Sequence, residues 1–211
     1  MGTSPARVAN RDANYRCILS QERAWARSVA RLAIKPRPIS VWEVMIPVFL
    51  IFNFVRSKND REVFVQNLLF TKELALKASL DMLKNGRTQR AVMAPIEEKT
   101  RNLLANIRPE IYSEDIRSKQ LQEIDFLIDH FSKLLAVAGK DFGALVESAY
   151  QSLESYRTFL TRLSNLEKEV NLAALRTLGA RGDPALVSRM EETMDRLRSG
   201  GAENIFHRMT G

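Results

Sequence analysis

Cysteine, histidine, glycine and proline are all scarce in this chain, and each scarcity excludes a class of protein. A single cysteine, Cys17, among 211 residues excludes a disulfide framework and any thiolate-held zinc or iron–sulfur site within the chain. Two histidines, His130 and His207, leave almost no material for an imidazole metal site. With only 9 Gly and 7 Pro, collagen-like, flexible-linker and proline-rich disordered classes fall away. Phosphate-binding glycine loops, dinucleotide-binding glycine triplets, nucleophile elbows and kinase signatures are all missing. What remains is 45% hydrophobic and long enough to bury a core as one domain, or one domain with an appendage.

The net charge of +7 is concentrated at one end. Arg7, Arg11, Arg16, Arg23, Arg27, Arg31, Lys35 and Arg37 face only Asp12 and Glu22 within residues 1–40, whereas residues 41–211 are close to neutral. Such an asymmetry points to an anionic partner, either a lipid surface or a nucleic acid. Residues 1–30 are polar and Arg-rich, unlike a secretory signal. Met1-Gly2 is followed by Ala6 where myristoylation wants Ser or Thr, and the C-terminal end has no prenylation cysteine. The expected location is the cytoplasmic side.

Helical periodicity runs through most of the chain, and no strand pattern survives beside it. A first helix is expected over 14–34, with Tyr15, Ile18, Leu19, Ala26, Val29, Leu32 and Ala33 on one face. Arg16, Arg23, Arg27 and Arg31 lie on the opposite face, and Glu22 sits as a blemish inside the apolar arc. Pro36 and Pro38 stop the helix. Residues 39–55 follow as the most apolar stretch, with no polar side chain from Val44 to Phe52 and Pro47 within that run. As a helix its 17 residues would span about 26 Å, short of a bilayer core of about 30 Å.

Further helices are expected over 60–84, over 95–107 with Pro95 as the first helical residue, and over 184–198 after Asp183-Pro184, closed by Gly200-Gly201. The strongest pattern lies between them. Ser113 caps a helix to Ala138 whose stripe is Leu121, Ile124, Ile128, Phe131, Leu135 and Ala138. After Gly139, a helix over 141–178 carries Ala149, Leu153, Tyr156, Leu160, Leu163, Val170 and Ala174, skipping Glu167. The two read as an antiparallel hairpin over 113–178 whose longer second arm overhangs the first.

Candidates for chemistry are thin. His130 lies beside the core stripe, and a di-metal carboxylate bundle would need Glu three residues before it, where Leu127 stands. Cys17 next to Arg16 admits a lowered thiol pKa, but its neighbours Tyr15, Ile18 and Leu19 favour simple burial. Glu97-Glu98 and Glu191-Glu192 fit early helix turns. No residue argues for an enzyme, a cofactor or a metal.

The expectation is therefore an all-α helical bundle of six or seven helices built on the hairpin. It divides into a basic amphipathic helix plus apolar segment over 1–58, a bundle over 59–200, and a flexible tail over 201–211. The favoured function is a non-enzymatic scaffold held peripherally on the cytoplasmic face of a membrane. Arg16, Arg23, Arg27, Arg31, Lys35, Arg37, Arg56 and Lys58 would meet anionic lipid, while Trp42, Phe49, Leu50, Phe52 and Phe54 insert. The alternative places 39–55 in the core of a soluble interaction subunit that meets a protein partner, or itself, through helices 113–178. A third reading, nonspecific nucleic-acid binding, is weakened because Tyr15 and Trp25 lie away from the arginines.

Overall fold

The capping chemistry at Ser113 starts the helix on which the others are arranged. Its Oγ accepts from the Ile116 N–H at 3.3 Å, and Glu114 and Asp115 sit favourably in the first turn. The computed structural model describes residues 5–33 and 60–207, which form an all-α bundle. Its helices are α1 Pro5–Ala33, α2 Asp60–Asn85, α3 Gln89–Asn106, α4 Glu114–Ala136, α5 Phe142–Tyr150, α6 Leu153–Leu178 and α7 Pro184–His207. Ile124, Ile128, Phe131 and Leu135 of α4 are fully buried between α2 and α6.

Ion pairs mark the relative directions of the helices. Asp12 with Lys84 and Arg23 with Glu73 show α1 and α2 to be antiparallel. Lys119 with Glu169 and Asp115 with Arg176 do the same for α4 and α6. Arg157 with Glu203 and Lys168 with Asp195 do so for α6 and α7. The end of α1 and the start of α2 therefore lie together, where Val29, Ala30 and Ala33 pack on Phe64, Val65, Met190 and Met194. Ile18, Ala26 and Val29 are completely buried. Large aliphatics such as Ile18 and Val29 contribute about 2 kcal/mol each on burial, so α1 is an integral part of the core.

Several boundaries differ from the periodicity. Helix α1 begins at Pro5 rather than near 14. Helix α3 begins at Gln89, with Thr88 as its cap and Pro95 inside it. Pro95 has no N–H for the Ala91 carbonyl, and the Arg87 guanidinium donates to that carbonyl instead, at 3.1 Å. The expected single helix over 141–178 is broken. Gln151 adopts a left-handed conformation with φ 63°, and Ser152 restarts the helix by accepting from the Ser155 N–H. The overhang disappears with that break, because α6 has 26 residues against 23 in α4. Gly139 is needed where α4 turns into α5, since a Cβ there would lie 2.8 Å from the Leu145 nitrogen. Finally, Gly200-Gly201 does not end α7, and residues 201–207 are helical rather than a loose tail. Ala202 is buried, and Ile205 and Phe206 pack on the core.

Lys35, Arg37, Trp42, Phe49, Leu50, Phe52, Phe54, Arg56 and Lys58 all lie outside the described residues, as does the whole 39–55 stretch. Among the described residues, no helix is long and apolar enough to cross a membrane.

Candidate functional site

The arginine face of α1 follows directly from helix geometry. Positions 16, 23, 27 and 31 recur at seven- and four-residue intervals, which places them on one side of the helix. The opposite side is consumed by the core, so the arginines are left on the outside. All four are exposed. Arg23 pairs with Glu73 of α2 at 3.0 Å, a partner that spacing within α1 does not reveal. Arg31 donates to the Ser28 hydroxyl. Among the described residues, no acidic side chain pairs with Arg16, Arg27 or Arg31. The apolar side of α1 packs on α2 and α7 around Ala26, Val29, Ala30 and Ala33, although Leu32, expected on that face, is exposed.

A second constellation lies inside the bundle. Glu167 of α6 receives both guanidinium nitrogens of Arg198 from α7, at 2.5 and 2.7 Å. Lys72 of α2 lies 3.7 Å from Glu167 and 3.5 Å from Glu22 of α1. Glu123 of α4 accepts a hydrogen bond from the Thr71 hydroxyl at 2.7 Å. The Lys72 ammonium lies 5.0 Å and the Arg198 guanidinium 4.6 Å from the centre of the Trp25 ring. Five helices thus contribute charge to one buried centre.

Its electrostatics are uneven. Burial pushes the Glu123 carboxyl up to about 7, with the nearby Glu167 charge adding to the effect against Lys72, Thr71 and Arg198. Burial would raise Glu167 as well, but Arg198 and Lys72 outweigh it and hold Glu167 below the usual carboxylate range. Beside this centre, His130 is held well below its ordinary pKa by burial and then by Lys72, Lys133 and Arg198. Its Nδ1 meets the Tyr150 hydroxyl at 2.7 Å, and its ring stacks on Phe159 at 4.0 Å. Burial, followed by the charge of Asp141, raises the Cys17 thiol.

Two cavities of about 100 Å³ flank the centre. One lies between α2, α4, α6 and α7 and includes Glu123 and Glu167 in its lining. The other is lined by Glu22, Trp25, Lys72, His130 and Arg198, among others. Among the described residues, no group of three or more metal-ligating side chains converges.

Sequence reasoning passed over Lys72, Glu123 and Arg198. It noted Glu22 and Glu167 only as interruptions of apolar stripes, and those interruptions were the available signal. A carboxylate at a core position needs a buried cation, and two such positions imply a shared centre. No family model, no curated protein and no solved structure matches this chain.

Proposed function

We propose that the protein is a non-enzymatic helical scaffold that attaches peripherally to the anionic cytoplasmic face of a membrane. The observation that carries the reading is the antiparallel arrangement of α1 and α2, marked by the pairs Asp12–Lys84 and Arg23–Glu73. The chain between Ala33 and Asp60, which includes the apolar run Val44–Phe52, leaves and returns at one end of the bundle. Arg27 and Arg31 stand exposed beside that end, and basic residues flank the run on both sides. An apolar insertion combined with a polybasic surface is the two-signal arrangement that stable surface anchoring requires. Burying Phe49, Leu50, Phe52 and Phe54 contributes about 6 kcal/mol, and Arg27 with Arg31 about 2 kcal/mol more on an anionic surface. Together these correspond to affinity on the order of 1 μM.

Sedimentation with phosphatidylserine-containing vesicles tests this, with phosphatidylcholine vesicles as the control. The intact protein pellets with the anionic vesicles and is partly released by salt. Phe49→Glu/Phe52→Glu abolishes pelleting while the helical spectrum is unchanged. Point variants are the right probe, because deleting residues 1–58 would strip Ile18 and Val29 from the core. A protein that ignores both vesicles at low salt, and unfolds on Phe49→Glu/Phe52→Glu, overturns the reading in favour of a soluble subunit with 39–55 in its core.

A further inference from the structure

The cavity between α2, α4, α6 and α7 has a specific polarity. Its walls are apolar, formed by side chains such as Leu68, Val170, Leu175, Val187, Met190 and Met194. Its polar lining is Asn67, Thr71, Gln120, Glu123, Glu167 and Asn171, and several of these groups already serve other partners. The Thr71 hydroxyl donates to Glu123, and the Asn171 amide donates to Glu191 at 2.9 Å. The Gln120 oxygen accepts from the Tyr112 hydroxyl. Glu167 is held by Arg198. What marks the cavity for an occupant is its negative charge, centred on Glu123, which is only 4% exposed.

Charge balance points the same way. Glu123 faces Lys72 and Thr71 from α2, Glu167 from α6 and Arg198 from α7, with Glu22 of α1 beyond Lys72. With every group ionised, three carboxylates meet two cations, and the centre is one positive charge short. We propose that this cavity binds a small aliphatic ammonium ion, with its head on Glu123 and its alkyl part against Met190 and Met194. An inorganic cation would leave the apolar wall unused, and among the described residues no group of three or more acidic, imidazole or thiol side chains converges to hold one. Since about 150 Å³ accommodates benzene, this cavity suits a molecule of roughly four or five heavy atoms.

Isothermal titration of the full-length protein with n-butylammonium chloride at pH 8 tests the proposal, with n-butanol and sodium chloride as controls. Saturable binding is expected for the ammonium alone. It weakens roughly tenfold at pH 6, where a carboxyl titrating near 7 is mostly protonated. Glu123→Gln weakens it by about tenfold or more at pH 8. Ala174→Leu, which fills the cavity and leaves Glu123 in place, abolishes it and carries the test if Glu123→Gln does not fold. Equal heats from n-butanol or sodium chloride, undiminished binding to folded Glu123→Gln, or wild-type binding to folded Ala174→Leu would each overturn the proposal.

Discussion

Replacing Glu123 by Gln should stabilise the protein at alkaline pH and leave it nearly unchanged near pH 5. The Glu123 carboxyl titrates near 7 when folded, against 4.5 as its ordinary value. Its folded pKa is raised, so the folded state holds a proton that the unfolded state releases. Below pH 4.5 both states are protonated and the effect vanishes. Between 4.5 and 7 the native state loses stability at about 1.4 kcal/mol per pH unit, and above 7 the loss levels off at about 3 kcal/mol. Glutamine is nearly isosteric, keeps an acceptor for the Thr71 hydroxyl, and never ionises. Urea denaturation followed by circular dichroism at pH 5, 6, 7 and 8 gives the difference between variant and wild type at each pH. The expected difference is within about 1 kcal/mol at pH 5 and grows to 2–3 kcal/mol in favour of Gln at pH 8. A difference that does not change with pH, or a variant less stable than wild type at pH 8, would refute the reasoning. It would mean that Lys72 and Arg198 stabilise the ionised carboxylate more than burial penalises it.

Further outcomes follow from other parts of the fold. Arg198→Met leaves Glu167 buried without its bidentate partner and is expected to cost about 3–5 kcal/mol; Glu167→Leu/Arg198→Met should recover most of that loss in the same urea assay. His130 has a depressed folded pKa, so its own contribution lowers stability as pH drops below 6.5, where the unfolded chain takes up a proton that the fold refuses, and this opposes the contribution of Glu123. In His130→Phe that opposition is gone, and stability rises more steeply as pH falls from 6.5 to 5, whatever the absolute stability. Gly200→Ala should raise stability by about 1 kcal/mol, since a Cβ there meets nothing within 4 Å in a helix. Gly139→Ala should lower stability, because its Cβ would lie 2.8 Å from the Leu145 nitrogen; a thermal melt that reverses these two signs would show the α4–α5 turn or the end of α7 to be built differently. On anionic vesicles, Arg27→Ser/Arg31→Ser should weaken binding more than Arg16→Ser. Arg16 lies about 26 Å back along α1 from Ala33, beyond two screening lengths for a bundle docked by its end.

Local pattern determined the class of this protein and most of its elements. Caps such as Ser113 and Asp183 and stripes such as Ile124–Ile128–Phe131–Leu135 are written in neighbouring residues, because helix formation and amphipathicity are short-range. The arginine face of α1 was legible for the same reason. The break at Gln151-Ser152 was half legible: Ser152 followed by Glu154 repeats the capping chemistry of Ser113, but the continuing stripe of Ala149 and Leu153 masks it. Pro95 stays inside a helix because a contact only four residues long, Arg87 to the Ala91 carbonyl, supplies the bond its missing N–H would have made. Tertiary packing carried α7 through two glycines, since Ala202, Ile205 and Phe206 find apolar partners there. The buried charge centre lies furthest from what local pattern can show. Glu22, Lys72, Glu123, Glu167 and Arg198 come from five helices and up to 176 positions apart. A charge at a core position is stable only where distant chain segments bring its partner, so sequence exposes the vacancy in a stripe and the fold alone names what fills it.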